Sequence, residues 1–437
     1  MGNTRRRVGQ SSAASVVTLP RPQRLMRLLL LVALALCWSW GAASSPAAHA
    51  DGGAPNLAYV VGGGSHGDDL VVVDIAQRKV AWSLSLGSQP RGVVLSADGR
   101  FAYVTEADAN RVAIVDARAQ QVIGSVAVGA GPAAIAADPM GGLYSLFVAN
   151  TKSNTLNQVD AGTRQIRATV TVGQQPVALA VATPMSGIQD SGDASTREVY
   201  VANRASQTLS VITASDSNKS AGASGSGDLK LTATIPLPEP PCALTVPGTG
   251  GIAYVATCPG KVLAIGLASH RVLGVLLPDL GGAPGMTDYD AITGQIYVPV
   301  PTKNQVVILR PAGLGADGRL VAPAEPLRTL TFAGGPAAVA ITFDGALGFV
   351  AERDGGNVDE IDVTTRNRLG GVFVGGAPLA IITGPYPPAL NREASGTVTA
   401  WVYGVFALGL AVLLALMIRG YVRDRKRDSA EPEGKAE

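Results

Sequence analysis

The chain has 437 residues, a formal net charge of +2 and 53 glycines. A net charge this close to zero provides no basic field, and the arginines concentrate near the two ends of the chain, so nucleic-acid binding is not indicated. Beyond residue 50 there are two histidines and two cysteines. This composition argues against haem and copper sites, because those sites favour clusters of imidazole ligands.

Residues 1–50 are predicted to be a signal peptide. Six arginines precede the apolar run Leu28–Ala43, which is short for a membrane span, and Ala48-His49-Ala50 offers a small-residue cleavage site. The tract at residues 4–7 allows a twin-arginine route as an alternative. Its distance from the apolar run favours general secretion, and we therefore expect an exported protein.

Residues 57–384 contain a repeat whose most regular feature is an aromatic residue followed by valine. Successive aromatics are 44, 44, 53, 54, 43 and 52 residues apart. A period of this length made of short strands is typical of propeller arrays. The aromatics are Tyr59, Tyr103, Phe147, Tyr200, Tyr254, Tyr297 and Phe349, and the prolines that run in step with them are Pro90, Pro132, Pro176, Pro241, Pro284, Pro336 and Pro378.

One repeat can be divided into four strands. Within residues 90–127 the runs Gly92–Leu95, Phe101–Thr105, Arg111–Asp116 and Val122–Val128 are rich in β-branched or aromatic residues and are separated by turn sequences. Four antiparallel strands per repeat make one propeller blade. The sequence therefore predicts an all-β fold, a seven-bladed β-propeller of four-stranded antiparallel blades, with each aromatic packed between neighbouring blades.

The segment that starts at Pro90 and continues through Tyr103-Val-Thr-Glu106 resembles the YVTN-repeat family of β-propellers. That family occurs among exported and surface-layer proteins of prokaryotes, and the resemblance covers residues 57–384. It implies that the proline-led strand is innermost and the aromatic strand second, so the C-terminal strand should complete the first blade. The family's repeat usually ends in asparagine, where this chain has Glu106, Thr257, Val300 and Glu352.

The region after the propeller is predicted to anchor the protein in a membrane. A Pro-containing linker at 385–396 leads to residues 397–418, which contain 22 residues and no charge, followed by a basic and then polar tail at 419–437. This length suits one transmembrane helix, and the arginines after it place the tail in the cytoplasm. We therefore expect a single-pass protein of the cytoplasmic membrane with the propeller on the extracytoplasmic side.

Cys242 and Cys258 flank a turn and are equidistant from residue 250. They should face each other across neighbouring strands of one blade. In an oxidising compartment this arrangement predicts a disulfide, although two free buried thiols would be the alternative.

No catalytic, cofactor or metal site is predicted. Lactonase-type propellers hold a divalent cation with carboxylates and amides that converge on the channel. The residues that follow the seven prolines here form no such ring. They are Arg91, Ala133, Val177, Cys242, Gly285, Ala337 and Leu379. Asp288 and Asp290 are the best carboxylates on an inner strand, and Asp290 is expected to cap the following turn.

Polar residues in or beside the turns of the outward face form a possible binding rim. They are Arg91, Glu106, Asp108, Arg111, Asn150, Asn203, Glu352 and Arg353. A solvated set of turns is the simpler interpretation. The preferred functional hypothesis is a non-enzymatic binding or interaction module of the cell envelope, with a protein or another envelope component as its partner. The alternatives are a metal-dependent lactonase or hydrolase, and an extracytoplasmic sensor that acts through a membrane partner.

Overall fold

The computed structural model describes residues 57–64, 69–138, 144–182, 196–216, 227–248, 251–315, 319–321, 325–384 and 419. The predicted signal peptide, linker and membrane span, and the predicted tail apart from residue 419, lie outside these ranges. Within the described ranges, no helix has the length and apolar character needed to cross a membrane.

The described strands form seven four-stranded antiparallel sheets, each of them one blade. Blade 1 contains β1 (Leu57–Gly63), β2 (Asp69–Asp74) and β3 (Lys79–Ser85). Blade 2 consists of β4 (Pro90–Leu95), β5 (Phe101–Glu106), β6 (Arg111–Asp116) and β7 (Gln121–Ala127). Blade 3 consists of β8 (Pro132–Ala137), β9 (Ser145–Asn150), β10 (Thr155–Asp160) and β11 (Gln165–Thr171).

The remaining blades follow the same order, from the innermost strand outwards. Blade 4 consists of β12 (Pro176–Ala182), β13 (Thr196–Asn203), β14 (Thr208–Asp216) and β15 (Gly227–Pro236), and blade 5 of β16 (Pro241–Thr245), β17 (Ile252–Thr257), β18 (Val262–Gly266) and β19 (Arg271–Leu277). Blade 6 consists of β20 (Asp288–Tyr289), β21 (Ile296–Val300), β22 (Gln305–Leu309) and β25 (Arg328–Thr331), with the small hairpin β23 (Gly313–Leu314) and β24 (Leu320–Val321) inserted. Blade 7 consists of β26 (Pro336–Ile341), β27 (Leu347–Glu352), β28 (Asn357–Asp362) and β29 (Asn367–Phe373).

The last strand, β30 (Ala380–Gly384), closes the ring. It pairs antiparallel with β1, with Ile382 opposite Tyr59 and Gly384 opposite Leu57. Blade 1 therefore contains the first three strands of the propeller and the last one, as predicted. Without β30, blade 1 would have three strands, and β1 would have an unpaired backbone edge. With β30 in place, unpaired edges remain only on the innermost and outermost strands of the blades.

The aromatic residues of the repeat lie between blades, as predicted. All seven are between 0% and 4% exposed. Each belongs to an apolar cluster that also contains residues of the next blade, and seven such clusters cover the seven blade boundaries. Tyr59, for example, packs with Val93 and Val104 of blade 2. Because each blade covers its neighbour, the hydrophobic core runs continuously around the ring.

Blade 6 departs from the regular pattern at its innermost strand, which has two residues in place of five to seven. The chain after Pro284 bonds to the inner strand of blade 7: Met286 donates its N–H to the Ala337 carbonyl at 2.8 Å. A Cβ atom at Gly285 would lie 2.1 Å from the same carbonyl oxygen. Only glycine permits this close approach between the two strands.

Candidate functional site

The turns that follow the second strands and those that precede the innermost strands meet on one face of the ring. There the central channel widens into a cavity of about 800 Å³, which we call the central cavity. Its wall is formed by the innermost strands and is mostly aliphatic. The larger wall residues are Ile135, Val177, Leu179, Leu244, Met286 and Leu379.

The mouth of the central cavity carries mainly positive charge. Four basic side chains line it, namely those of Arg91, Lys152, Arg204 and Arg353, against one acidic side chain, that of Asp108. All five residues are exposed. The Arg204 guanidinium donates to the Sγ of Cys242 at 3.2 Å, which places one charge directly beside the disulfide.

Towards the opposite face, the channel narrows to a second cavity of about 180 Å³ that shares Ile135, Met286 and Thr287 with the first. Asp288 lies here, and its carboxylate accepts the Ile341 N–H at 2.7 Å. The neighbouring Asp290 accepts the Ile292 N–H at 2.9 Å and therefore caps its own turn, as predicted. Among the described residues, no group of three or more His, Cys, Asp or Glu side chains is arranged to hold a metal ion.

The structure divides seven of the eight residues of the predicted binding rim into two groups, and Arg111 lies between them. Arg91, Asp108 and Arg353 are exposed and line the central cavity. Four others are at most 1% exposed, and their side chains point into the blades: Glu106, Asn150, Asn203 and Glu352. Arg111 is partly exposed and forms an ion pair with buried Glu106. For the four buried residues, the structure therefore indicates a role inside the blade and not direct contact with a ligand.

The buried asparagines hold the second strand of a blade to its third. Asn150 donates its Nδ2–H to the Oδ1 of Asn157 at 2.7 Å, and the same Oδ1 accepts the Gly129 N–H at 3.0 Å. In blade 4, Asn203 donates to the Oγ of Ser210 at 2.9 Å. In both blades the partner lies seven residues after the asparagine, so a buried side chain at this spacing accepts from the Nδ2–H of the asparagine.

Blade 7 has two carboxyl groups where blade 3 has two amides. Glu352 and Asp359 are each at most 1% exposed, and Arg368 reaches both carboxyl groups from the outermost strand. Burial raises the pKa of Glu352 to about 7, assisted by a hydrogen bond and repulsion from Asp359. Two carboxylates this close share a proton more readily than they both ionise.

This pair predicts a stability that falls as the pH rises. The pKa of Glu352 is about 7 in the folded chain against 4.5 in the reference state, so the folded state holds the proton more tightly than the unfolded state. The free energy of unfolding should therefore decline as the pH rises from 4.5 through 7. We expect Glu352→Gln to remove about 1–3 kcal/mol of this decline between about pH 5 and pH 8, measured by urea unfolding at both values.

The matched control for this prediction is Glu106→Gln, the same change at the corresponding position of blade 2. There the acid is paired with Arg111, and the residue seven positions later is Ala113. This variant leaves the carboxyl pair of blade 7 intact, so the decline in stability that Glu352 causes should persist in it. Equal pH dependence in Glu352→Gln and the wild type would show that the carboxyl pair holds no proton.

Cys242 and Cys258 form a disulfide, as predicted, with their Cα atoms 5.0 Å apart. The bridge joins the start of β16 to the turn after β17, so it fastens the two inner strands of blade 5. Because Cys242 also lines the central cavity, the bridge fixes part of the cavity wall.

The basic residues Lys152 and Arg204 belong to the cavity mouth but not to the predicted rim. They follow Asn150 and Asn203 by two and one residues, in the same turns. In each turn the asparagine points into the blade while the basic side chain remains exposed. The sequence feature that could have identified them is a basic residue one or two positions after the asparagine that ends the second strand.

No protein-family model matches the chain, and no curated protein matches it. The likeness to YVTN-repeat proteins therefore remains a resemblance. Solved structures do match. A functionally unknown protein from Desulfotomaculum acetoxidans DSM 771 is 12% identical with a TM-score of 0.58, over 76% of this chain and 99% of that one.

Two further solved structures are similar to this chain. The Cps50 (Swd1) β-propeller domain of Myceliophteria thermophila is 10% identical with a TM-score of 0.53, over 69% of this chain and 91% of that one. Hydrazine synthase of Kuenenia stuttgartiensis is 20% identical with a TM-score of 0.48, over 69% of this chain and 90% of that one. The Myceliophteria β-propeller domain supports the propeller fold, and none of the three structures assigns an activity to this chain.

Proposed function

We propose that the chain is a non-enzymatic binding module of the cell envelope whose ligand site is the central cavity. The observation that carries the proposal is the cavity itself. About 800 Å³ lies within the usual volume range of small-molecule sites, and an aliphatic wall with a few charged groups at its mouth is the composition that such sites share.

In this proposal the propeller lies on the extracytoplasmic side and is held at the cytoplasmic membrane by the helix at 397–418. The supporting observations are the signal-like residues 1–50, the uncharged span and the arginines that follow it. Gly384 ends β30 beside Leu57, whereas the other end of that strand lies at the face of the cavity. A short linker would therefore leave the cavity open to the exterior.

The experiment that tests this function compares two tryptophan variants as baits for envelope components. Val177→Trp places an indole ring in the central cavity, whereas Leu231→Trp adds the same side chain on the outermost strand of blade 4, where Leu231 is 41% exposed. A component that binds the full-length wild type and Leu231→Trp but not Val177→Trp is the expected result. Equal binding to all three proteins would remove the cavity from the proposal.

The hydrolase alternative has its own readout in the same preparation. Turnover of lactones by the full-length chain, lost in Asp288→Asn, would favour an enzyme. Among the described residues that line the narrow cavity, Asp288 is the acidic one. A hydrolase with its active site in the channel would therefore depend on Asp288. The binding module predicts no turnover that depends on Asp288.

A further inference from the structure

We infer that the central cavity takes a small anionic amphiphile, that is, a carboxylate or phosphate group joined to an apolar body. This inference rests on the proposed function and narrows it to one class of ligand. Its basis is that the cavity combines a cationic mouth with an aliphatic wall. The mouth would attract the anionic group of the ligand, and the wall would bury its apolar body.

The cationic mouth selects the charge of the ligand. Arg353 donates to Asp354 at 2.9 Å, so its charge is partly compensated by its neighbour. Within the described part of the chain, Arg91, Lys152 and Arg204 have no acidic partner within ion-pair distance. These three residues belong to consecutive blades, 2, 3 and 4. Like charges at the mouth of a low-dielectric cleft focus the field and attract an anion.

The side chains of these cations are placed to stay at the mouth. A Cβ atom at Gly131 would lie 2.8 Å from the Cγ of Lys152, so the lysine stem packs directly on the backbone that leads into β8. Arg91 donates to the Oε1 of Gln89 at 3.1 Å, and Arg204 to the disulfide sulfur. These contacts hold the stems at the mouth and leave further guanidinium and ammonium N–H groups to donate to a ligand.

The wall selects the body of the ligand. Below the mouth, the described side chains of the innermost strands are mainly alanine, valine, leucine and isoleucine, with Met286 and Thr287 where the channel narrows. A glycan would leave hydroxyl groups without side-chain partners along this wall, at a cost in free energy. An alkyl or aryl group instead gains from burial, and the narrow cavity of about 180 Å³ extends the space available to it.

The test is photolabelling of the purified full-length chain with a decanoate that carries a diazirine on its alkyl chain. The labelled peptides are identified by mass spectrometry, which separates site labelling from non-specific partitioning. We expect the label on β8, β12 or β16, competition by octanoate or octyl phosphate, and none by octyltrimethylammonium or acetate. The stronger of the two anionic competitors tells a carboxylate ligand from a phosphate ligand.

The decisive variant is Arg91→Gln/Lys152→Gln/Arg204→Gln. Its control, Lys79→Gln/Lys230→Gln/Arg271→Gln, removes the same charge from exposed positions on the outermost strands β3, β15 and β19. Labelling should fall about tenfold in the first variant and remain at the wild-type level in the control. If the triple variant does not fold, Lys152→Gln alone should still lower labelling.

Two results would overturn the inference: equal labelling of the inner strands in the two triple variants, or displacement by octyltrimethylammonium as effective as that by octanoate. The ligand class and the proposed function can fail separately. Suppose that Val177→Trp loses the binding of an envelope component, but that labelling is equal in the two triple variants. The central cavity would then still be a binding site, and its ligand would not be an anionic amphiphile.

Discussion

Replacing Arg197 with methionine should lower the free energy of unfolding by about 3–5 kcal/mol, because it leaves a buried carboxylate without its cation. Arg197 is the second residue of β13 in blade 4 and forms an ion pair with Asp138, which directly follows the inner strand of blade 3. Both side chains are 0% exposed. Asp138 also accepts the Ser145 hydroxyl at 3.0 Å, and the guanidinium lies 5.7 Å from the centre of the Phe147 ring.

The matched control is Arg353→Met, which breaks an ion pair whose side chains are 45% and 59% exposed. Its cost should be at most about 1 kcal/mol, since exposed pairs contribute little. The double variant Asp138→Asn/Arg197→Met should recover part of the loss, because it removes both charges of this ion pair. Urea unfolding followed by circular dichroism provides the comparison. Equal stability of Arg197→Met and Arg353→Met would mean that the buried pair is not formed.

The second large effect is expected at the disulfide. Cys242 and Cys258 are separated by 16 residues, and a cross-link over a loop of this length stabilises a protein by about 3 kcal/mol, mainly by restricting the unfolded chain. Cys242→Ala/Cys258→Ala should therefore lower the free energy of unfolding by about this amount.

A reductant provides the internal control for this prediction. It should lower the stability of the wild type by a similar amount and leave that of the double alanine variant unchanged. A variant as stable as the oxidised wild type would contradict the prediction.

The central cavity should also respond to loss of the disulfide, because Arg204 contacts Cys242 in the cavity wall. Labelling by the photoreactive decanoate should decrease when the bridge is absent.

Much of the fold could be predicted because its determinants are local and repeated. A buried aromatic and a proline recur in each blade. The resemblance to YVTN-repeat propellers implied that the proline-led strand is innermost, so that the propeller starts with a second strand and the last strand completes blade 1. The disulfide was predictable for a similar reason, since Cys242 and Cys258 lie symmetrically about one hairpin turn. These features depend on spacing along the chain, which is directly visible in a sequence.

The site was less predictable because it depends on which way each turn residue points. Asn150 and Lys152 are two residues apart and equally polar, yet the first is buried and the second exposed. Burial of Asn150 is favoured by Asn157, seven residues later on the third strand. The ion pair of Asp138 and Arg197 joins residues 59 positions apart in different blades, and no local pattern predicts such a contact.

The side of the membrane on which the propeller lies can be measured by thiol labelling of intact cells that express the full-length chain. An extracytoplasmic propeller with an oxidised bridge predicts that a membrane-impermeant maleimide labels Cys242 and Cys258 only after an impermeant reductant, before any lysis. A chain lacking residues 1–50 serves as the cytoplasmic control and should be labelled only after lysis. Full-length protein that shows free thiols, reachable only in lysed cells, would place the propeller in the cytoplasm and contradict the proposed extracytoplasmic location.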